Sequence, residues 1–145
     1  MYFCNSIANV MDVIALLHKN GLSKTRSRLN ILQILEETNI PLSGKDICSQ
    51  LQNKCDKSTV HRTLNSLYNK NILQRIIVDH EVKYALRIDL NGEKKHKGDH
   101  LHFKCSKCDA IFCLTDIEIQ DYQLPDGFTK EENQFLIIGK CKECH

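Results

Sequence analysis

Two C-x2-C pairs, Cys105-Ser106-Lys107-Cys108 and Cys141-Lys142-Glu143-Cys144, carry the most chemically specific spacing in the chain. A pair at this spacing fits one tight turn and aims two thiolates at a common point, and soft sulfur suits zinc. Two such pairs complete a tetrahedral shell with no position left for water. The expected ion is therefore structural and stabilises the fold without turning over a substrate. The competing reading is two unrelated pairs of free thiols. His145 offers a rival ligand, ranked below the four thiolates because chain ends fray. His100-Leu101-His102 precedes the first pair, and a strand there would put both imidazoles on one side of a sheet, where they could bind a second metal.

A chain of 145 residues makes one medium or two small domains, each able to hold a modest core if a metal helps. No apolar run approaches membrane-spanning length. The segment after Met1 lacks the basic start, long apolar core and small-residue cleavage site of a signal peptide, so a cytoplasmic location and no membrane partner are expected. Eight cysteines in such a chain point to metal or redox chemistry more than to disulfides. A net charge of +2 says little, because any affinity for DNA must come from local clusters. Two clusters exist: Lys24, Arg26 and Arg28, and then Lys54, Lys57 and Arg62.

The elements that would position these residues follow from periodicity. Ile7, Val10, Val13, Ile14 and Leu17 predict a first helix from about Ser6 to Lys19, ended by Asn20-Gly21. Leu29, Ile31, Leu32, Ile34 and Leu35 predict a second, more buried helix that stops near Thr38-Asn39, before Pro41. Ser43 reads as the N-cap of a third helix, with Asp46 completing an acidic, imperfect capping box and Ile47 and Leu51 facing inward. In Ser58–Tyr68, Val60, Leu64 and Leu67 form one buried stripe and leave Thr59, His61, Arg62 and Asn65 facing outward. Hydroxyl, imidazole, guanidinium and amide groups on exposed early turns suit phosphates and base edges in a major groove; an ordinary solvated face is the competing reading. Ile72–Val78 and Val82–Ile88 flank Asp79-His80-Glu81 as in a hairpin, and three helices followed by a hairpin make a winged helix. Asp89–Gly98 is polar and lysine-bearing and reads as a hinge. Beyond it, two strands within Leu101–Leu114, a turn at Leu124–Gly127 and a strand at Phe135–Gly139 are expected.

Here the chain resembles a known family. Thr59-Val60-His61-Arg62-Thr63-Leu64-Asn65-Ser66-Leu67 resembles the T-V-Y-R-x-L-x-x-L recognition helix of the ferric uptake regulator family, and Gly21–Leu29 resembles its first inter-helix segment. His100-x-His102-x-x-Cys105-x-x-Cys108 and Cys141-x-x-Cys144 follow in the family's order. The resemblance implies an α+β chain: an N-terminal winged-helix DNA-binding domain (1–88), a hinge (89–98), and a small C-terminal α/β dimerisation domain with a Cys4 zinc site (99–145). It also implies that His61 contacts base edges and Arg62 phosphates or bases. Thr59 and Asn65 would then position the helix, and Lys24, Arg26 and Arg28 would meet backbone phosphates.

The resemblance further implies a regulatory metal held by His100, His102 and a residue five positions after Cys108. Members carry a carboxylate there; this chain has Cys113, a soft thiolate that favours zinc over ferrous iron or manganese. A small buried apolar role is the alternative for Cys113. Two other family ligand positions are occupied here by Ile40 and Ala85, and two more by Asp99 and Asn133. Completing the shell must therefore recruit His80, Glu81, Asp89, His96 or Glu118. The expected protein is a homodimeric, metal-responsive repressor, a zinc-sensing member of the family that binds double-stranded DNA at a palindromic operator. Iron-, manganese- or peroxide-responsive regulation is the alternative within the class. A zinc enzyme using His100, His102 and Cys113, or a zinc-ribbon adaptor binding protein, are the alternatives outside it.

Overall fold

The computed structural model describes residues 10–38, 40–52, 54–87, 101–114, 116–120, 122–131 and 133–145. The chain separates into two compact units, Met1–Lys95 and His96–His145. The expected hinge, with Asp89 and His96, and also His100 of the His-x-His element, lie outside the described residues.

The first unit runs α1 (Val10–Lys19), α2 (Arg26–Thr38), β1 (Leu42–Ser43), α3 (Gly44–Gln50), α4 (Lys57–Asn69), β2 (Leu73–Val78) and β3 (Glu81–Leu86). The expected helices are present, with α1 described from Val10 onward and α2 entering at Arg26, a turn ahead of its apolar stripe. Ser43 caps α3 in full: its Oγ accepts from the Asp46 N–H at 3.1 Å, and the Asp46 carboxylate accepts from the Ser43 N–H at 3.0 Å. Aspartate thus serves where the motif usually has glutamate.

Val60, Leu64 and Leu67 of α4 are buried as a stripe, packed with Leu17, Ile31, Leu32, Ile47 and Ile72 in one core. Truncating any of these leucines to alanine costs about 2–5 kcal/mol, because lost transfer energy and the cavity left behind add.

The wing is an antiparallel hairpin, β2 against β3, in which Val78 pairs with Glu81. Its turn is therefore the two residues Asp79 and His80, both at positive φ (52° and 64°), and Glu81 belongs to the strand instead of the turn. Paired positive φ values mark a type I′ turn, whose twist matches that of the flanking strands. The sequence did not reveal β1, which adds a third strand by pairing Leu42 with Tyr84 and Ser43 with Lys83. This pairing fixes the start of α3 to the wing.

The second unit is a three-stranded sheet in the order β5-β4-β6, built from β4 (Leu101–Cys105), β5 (Ile111–Leu114) and β6 (Phe135–Gly139). Strand β4 pairs antiparallel with β5 and parallel with β6. Among the described residues this unit holds strands and turns, and the described helices belong to the first unit. The expected turn before β6 is closed by Phe128 N–H donating to the Pro125 carbonyl at 3.1 Å.

Candidate metal centre and nucleic-acid interface

Strand register brings the four cysteines together. Cys105 ends β4 beside Gly139, its partner in β6, so the turn after β4 and the turn after β6 leave the same end of the sheet. The first turn closes with Asp109 N–H donating to the Cys105 carbonyl at 3.0 Å and Cys105 N–H to Ala110 at 2.9 Å, with Asp109 at φ 57°. The second closes with Cys144 N–H donating to Cys141 at 3.0 Å, and Ser106 N–H reaches the Gly139 carbonyl at 2.7 Å to hold the turns together. A Cβ on Gly139 would meet the Phe103 ring at 3.1 Å, so this close approach favours a residue without a side chain.

The four sulfurs lie within 4.8 Å of one another, and the Sγ atoms of Cys108 and Cys141 are 3.8 Å apart. Zinc–sulfur bonds of about 2.3 Å at tetrahedral angles place sulfurs roughly 3.8 Å from each other. A disulfide would need about 2.05 Å. The donor set and its spacing therefore fit zinc. Among the described residues this is the one group of three or more His, Cys, Asp or Glu side chains gathered closely enough to hold a metal, and His145 stands outside it.

Electrostatics point the same way. Backbone N–H groups of Cys141 and Cys108, with that of Lys107, hydrogen-bond the Cys105 sulfur and bring its pKa down to about 6. Its neighbours bear the consequence: hydrogen bonding with the Cys141 and Cys108 thiols pushes Cys144 up to about 12. At Cys108 the Ala110 N–H favours the thiolate, yet the Cys105 sulfur and burial outweigh it and the net shift is upward. One thiolate is thus ready, and further anions are held back by crowding that a bound dication would relieve.

Of the expected regulatory ligands, His102 is buried on β4 and is the direct cross-strand partner of half-buried Cys113 on β5. Directly opposed residues of an antiparallel pair have Cβ atoms about 4.5–5.5 Å apart on one face. Glu118 is exposed beyond β5, and His80 and Glu81 are exposed in the first unit at the tip of the wing. None of these joins a described three-ligand group. Ile40 is half-exposed and Ala85 is buried in β3.

On α4, His61 and Arg62 are exposed, whereas Thr59 and Asn65 are half-buried and already engaged. Thr59 donates its hydroxyl to the Asp56 carboxylate at 2.9 Å. The Asn65 amide bridges His61 Nε2, at 3.0 Å, and Arg75 of β2, which donates to its oxygen. Thr59 and Asn65 are thus partly covered on the outer face, Thr59 by its bond to the exposed Asp56 cap and Asn65 by Arg75 of the wing. Lys24 is exposed ahead of α2 and Arg26 is exposed at its first position, and the half-buried Arg28 donates to the Ser23 carbonyl at 2.6 Å and hydroxyl at 2.8 Å.

Sequence reasoning missed two residues here. Asp56 is the N-cap of α4, accepting from Thr59 N–H at 2.7 Å and the Ser58 hydroxyl at 2.6 Å; the Ser58 hydroxyl first, then Thr59, hold its carboxyl below the usual range. An aspartate immediately before a helical stripe is a legible cap signal. Arg75 left no such signal, since its role depends on tertiary neighbours.

A winged helix joined in one chain to a sheet with a four-cysteine cluster defines a two-domain regulator fold. The Ferric uptake regulator family model matches residues 19–135, and the chain belongs to that family of metal-responsive transcriptional regulators. It is 29% identical over 133 residues to the ferric uptake regulation protein of Bordetella parapertussis, covering 86% of this chain and 90% of that one. Identity to the Helicobacter pylori protein of the same name is also 29%, over 136 residues, with coverage of 87% and 84%. Among solved structures, a zinc uptake regulator complexed with zinc and DNA matches with a TM-score of 0.67 at 16% identity, covering 94% of this chain and 95% of that one. The ferric uptake regulator from Francisella tularensis with iron matches with a TM-score of 0.58 at 25% identity, covering 86% and 95%.

Proposed function

We propose that this chain is a homodimeric transcriptional repressor that binds a palindromic operator in double-stranded DNA when a regulatory zinc ion is bound, and that it works in the cytoplasm. The observation that carries the DNA-binding part is α4: a capped helix anchored by Val60, Leu64 and Leu67 that holds His61 and Arg62 exposed together on its early turns. Exposed Lys24 and Arg26 supply further phosphate-binding charge. The zinc uptake regulator of similar fold is complexed with zinc and DNA, which supports the same use of this fold here.

Cys105, Cys108, Cys141 and Cys144 would hold a structural zinc that supplies folding energy to the second unit. Dimerisation would use the sheet edge, where β6 leaves Ile137 and Ile138 exposed and, among the described residues, has no further strand beside it. His100, His102 and Cys113 would hold the regulatory ion, completed by Asp89, His80, His96, Glu81 or Glu118. The support is that His102 and Cys113 are already cross-strand neighbours. Zinc as the signal, over iron or manganese, rests on the softness of the Cys113 thiolate.

The ion would act by selecting the conformer in which the two recognition helices of a dimer match the half-site spacing. An enzymatic reading would instead need an open three-ligand zinc site with a general base beside it. The experiment is DNA binding by the dimer in zinc-buffered solution, with Arg62→Ala alongside. Zinc-dependent binding that is lost in the variant supports the reading. Unchanged binding by Arg62→Ala removes α4 from the interface, and a protein that binds other proteins but never DNA would be an adaptor.

A further inference from the structure

We propose that Arg75, a positioning residue on the wing strand β2, fixes the proton of His61 on Nδ1 and so commits the recognition helix to a base edge that accepts a hydrogen bond. The choice of base edge rests on the DNA-binding reading above; the position of the proton does not, since it belongs to the free protein.

The Arg75 guanidinium lies 3.9 Å from the centroid of the Tyr68 ring on α4 and 5.8 Å from that of Tyr84 on β3. Stacked against one ring and near a second, this cation has little freedom to turn. Its Nε is buried with no hydrogen-bond partner among the described residues, whereas Nη2 donates to Asn65 Oδ1.

A guanidinium has donors and no acceptor, so the oxygen of the Asn65 amide must face it. The amide nitrogen is then turned toward His61, where Nδ2 lies 3.0 Å from Nε2. An amide nitrogen only donates, so His61 Nε2 must accept and carries no proton. A neutral imidazole has one proton, which is left on Nδ1. This is the reverse of the form that predominates for histidine free in water, so it carries a distinctive signature.

The consequence for recognition follows from groove chemistry. With Nε2 occupied by Asn65, exposed His61 has one polar group to offer, the Nδ1–H donor. In the major groove, acceptors are guanine N7 and O6, adenine N7 and thymine O4, whereas cytosine presents an amino donor. The helix would therefore favour guanine, adenine or thymine under His61 over the amino edge of cytosine. Arg75 would contribute specificity through two side chains, without touching the duplex.

The test has two arms. In the first, the full zinc-loaded chain, labelled with nitrogen-15 at histidine, is studied at about pH 8, where ordinary imidazoles are neutral. Long-range proton–nitrogen correlations should give His61 a protonated Nδ1 and a bare Nε2. Arg75→Leu and Asn65→Ala should each shift it toward the Nε2–H form, while Arg75→Lys, which keeps a pure donor, should hold Nδ1–H. A wild-type His61 protonated on Nε2, or an Nδ1–H form unchanged in both Arg75→Leu and Asn65→Ala, overturns the proposal.

In the second arm, selection from a random-sequence duplex library should give the wild type one position at which cytosine is depleted. At that position Arg75→Leu should admit cytosine at least fivefold more often. If the Nδ1–H form is found but no duplex is retained, the DNA-binding reading and the base-edge half of the proposal fall, and the control of His61 by Arg75 stands. If duplex is bound but Arg75→Leu leaves the selected sequences unchanged, the base-edge half alone falls.

Discussion

Cys105 and Gly139 stand side by side as partners in the parallel β4–β6 ladder. One residue of slip between these strands would carry the Cys141–Cys144 turn about 3.3 Å along the sheet and turn its side chains to the other face. The meeting of four sulfurs is thus written into strand register, and the register is reinforced by Ser106 N–H on the Gly139 carbonyl and by Cys141 N–H on the Cys105 sulfur.

Replacing a cysteine of the cluster should therefore undo more than a metal site. Structural zinc in small domains contributes on the order of 10–16 kcal/mol, which matches or exceeds the roughly 5–15 kcal/mol net stability of a typical domain. Cys105→Ser or Cys144→Ser is expected to yield protein without the structural zinc, unfolded in its second unit and monomeric. Metal analysis with sedimentation and circular dichroism checks this. His102→Ala should instead leave a folded dimer whose DNA affinity no longer responds to metal. Equal loss of folding in both kinds of variant would argue against two separate sites.

Cys113 offers a change of metal preference at a single atom. Its position opposite His102 suits a shared ion, and Cys113→Asp exchanges soft sulfur for hard oxygen. The variant should keep its structural zinc and respond to ferrous iron or manganese at lower free-metal concentration, relative to zinc, than the wild type does. DNA affinity followed in metal-buffered titrations reads this directly. An unaltered order of metals would return Cys113 to the role of a small buried side chain.

Arg62 and Lys24 should differ in the kind of loss they cause. A side chain that touches a base edge is worth about 1–3 kcal/mol, or roughly 5- to 150-fold in affinity, so Arg62→Ala should fall in that range and relax sequence preference. Lys24→Ala should weaken all sequences alike and lower the slope of log affinity against log salt by about 1. Fluorescence anisotropy at several salt concentrations separates the two.

The helix caps contribute to behaviour in acid. The Ser43 hydroxyl and then its N–H hold the Asp46 carboxyl below its ordinary value, and Asp56 is held low by Ser58 and Thr59. A carboxylate with a lowered folded-state pKa adds stability that is fully present above its unfolded value, near pH 4, and is lost as pH falls through the folded value. Thermal unfolding of the whole protein should therefore lose part of its stability below about pH 4, and Asp46→Asn should flatten that limb while lowering stability at neutral pH. Ser43→Ala should cost about 1 kcal/mol at pH 7. For a domain of this size that is roughly 4–8 °C in Tm.

Much of this was legible in the residues because local rules and tertiary packing agree. The Ser43–Asp46 box, the stripe of Val60, Leu64 and Leu67, and the strand Phe135–Gly139 each carry a complete local signature. The convergence of the two C-x2-C turns was readable because metal spacing is itself a long-range constraint. Strand β1 escaped because two residues carry no periodicity; Leu42 and Ser43 are extended by their partners on β3. Arg75 escaped because its place among Tyr68, Tyr84 and Asn65 exists only after the wing folds back onto α4. The cover that Arg75 lays over Asn65 escaped for the same reason, since helical phase says which side a residue takes but not what another element will lay against it.

The most direct measurement is DNA affinity of the reduced protein across a series of buffered zinc concentrations, with metal content per protomer determined at each point. A zinc-sensing repressor should retain one zinc per protomer at the lowest free zinc, where DNA is bound weakly, and gain at least about tenfold in affinity as a second zinc fills. DNA binding of equal strength with one zinc and with two, or a folded dimer with none, would contradict that reading.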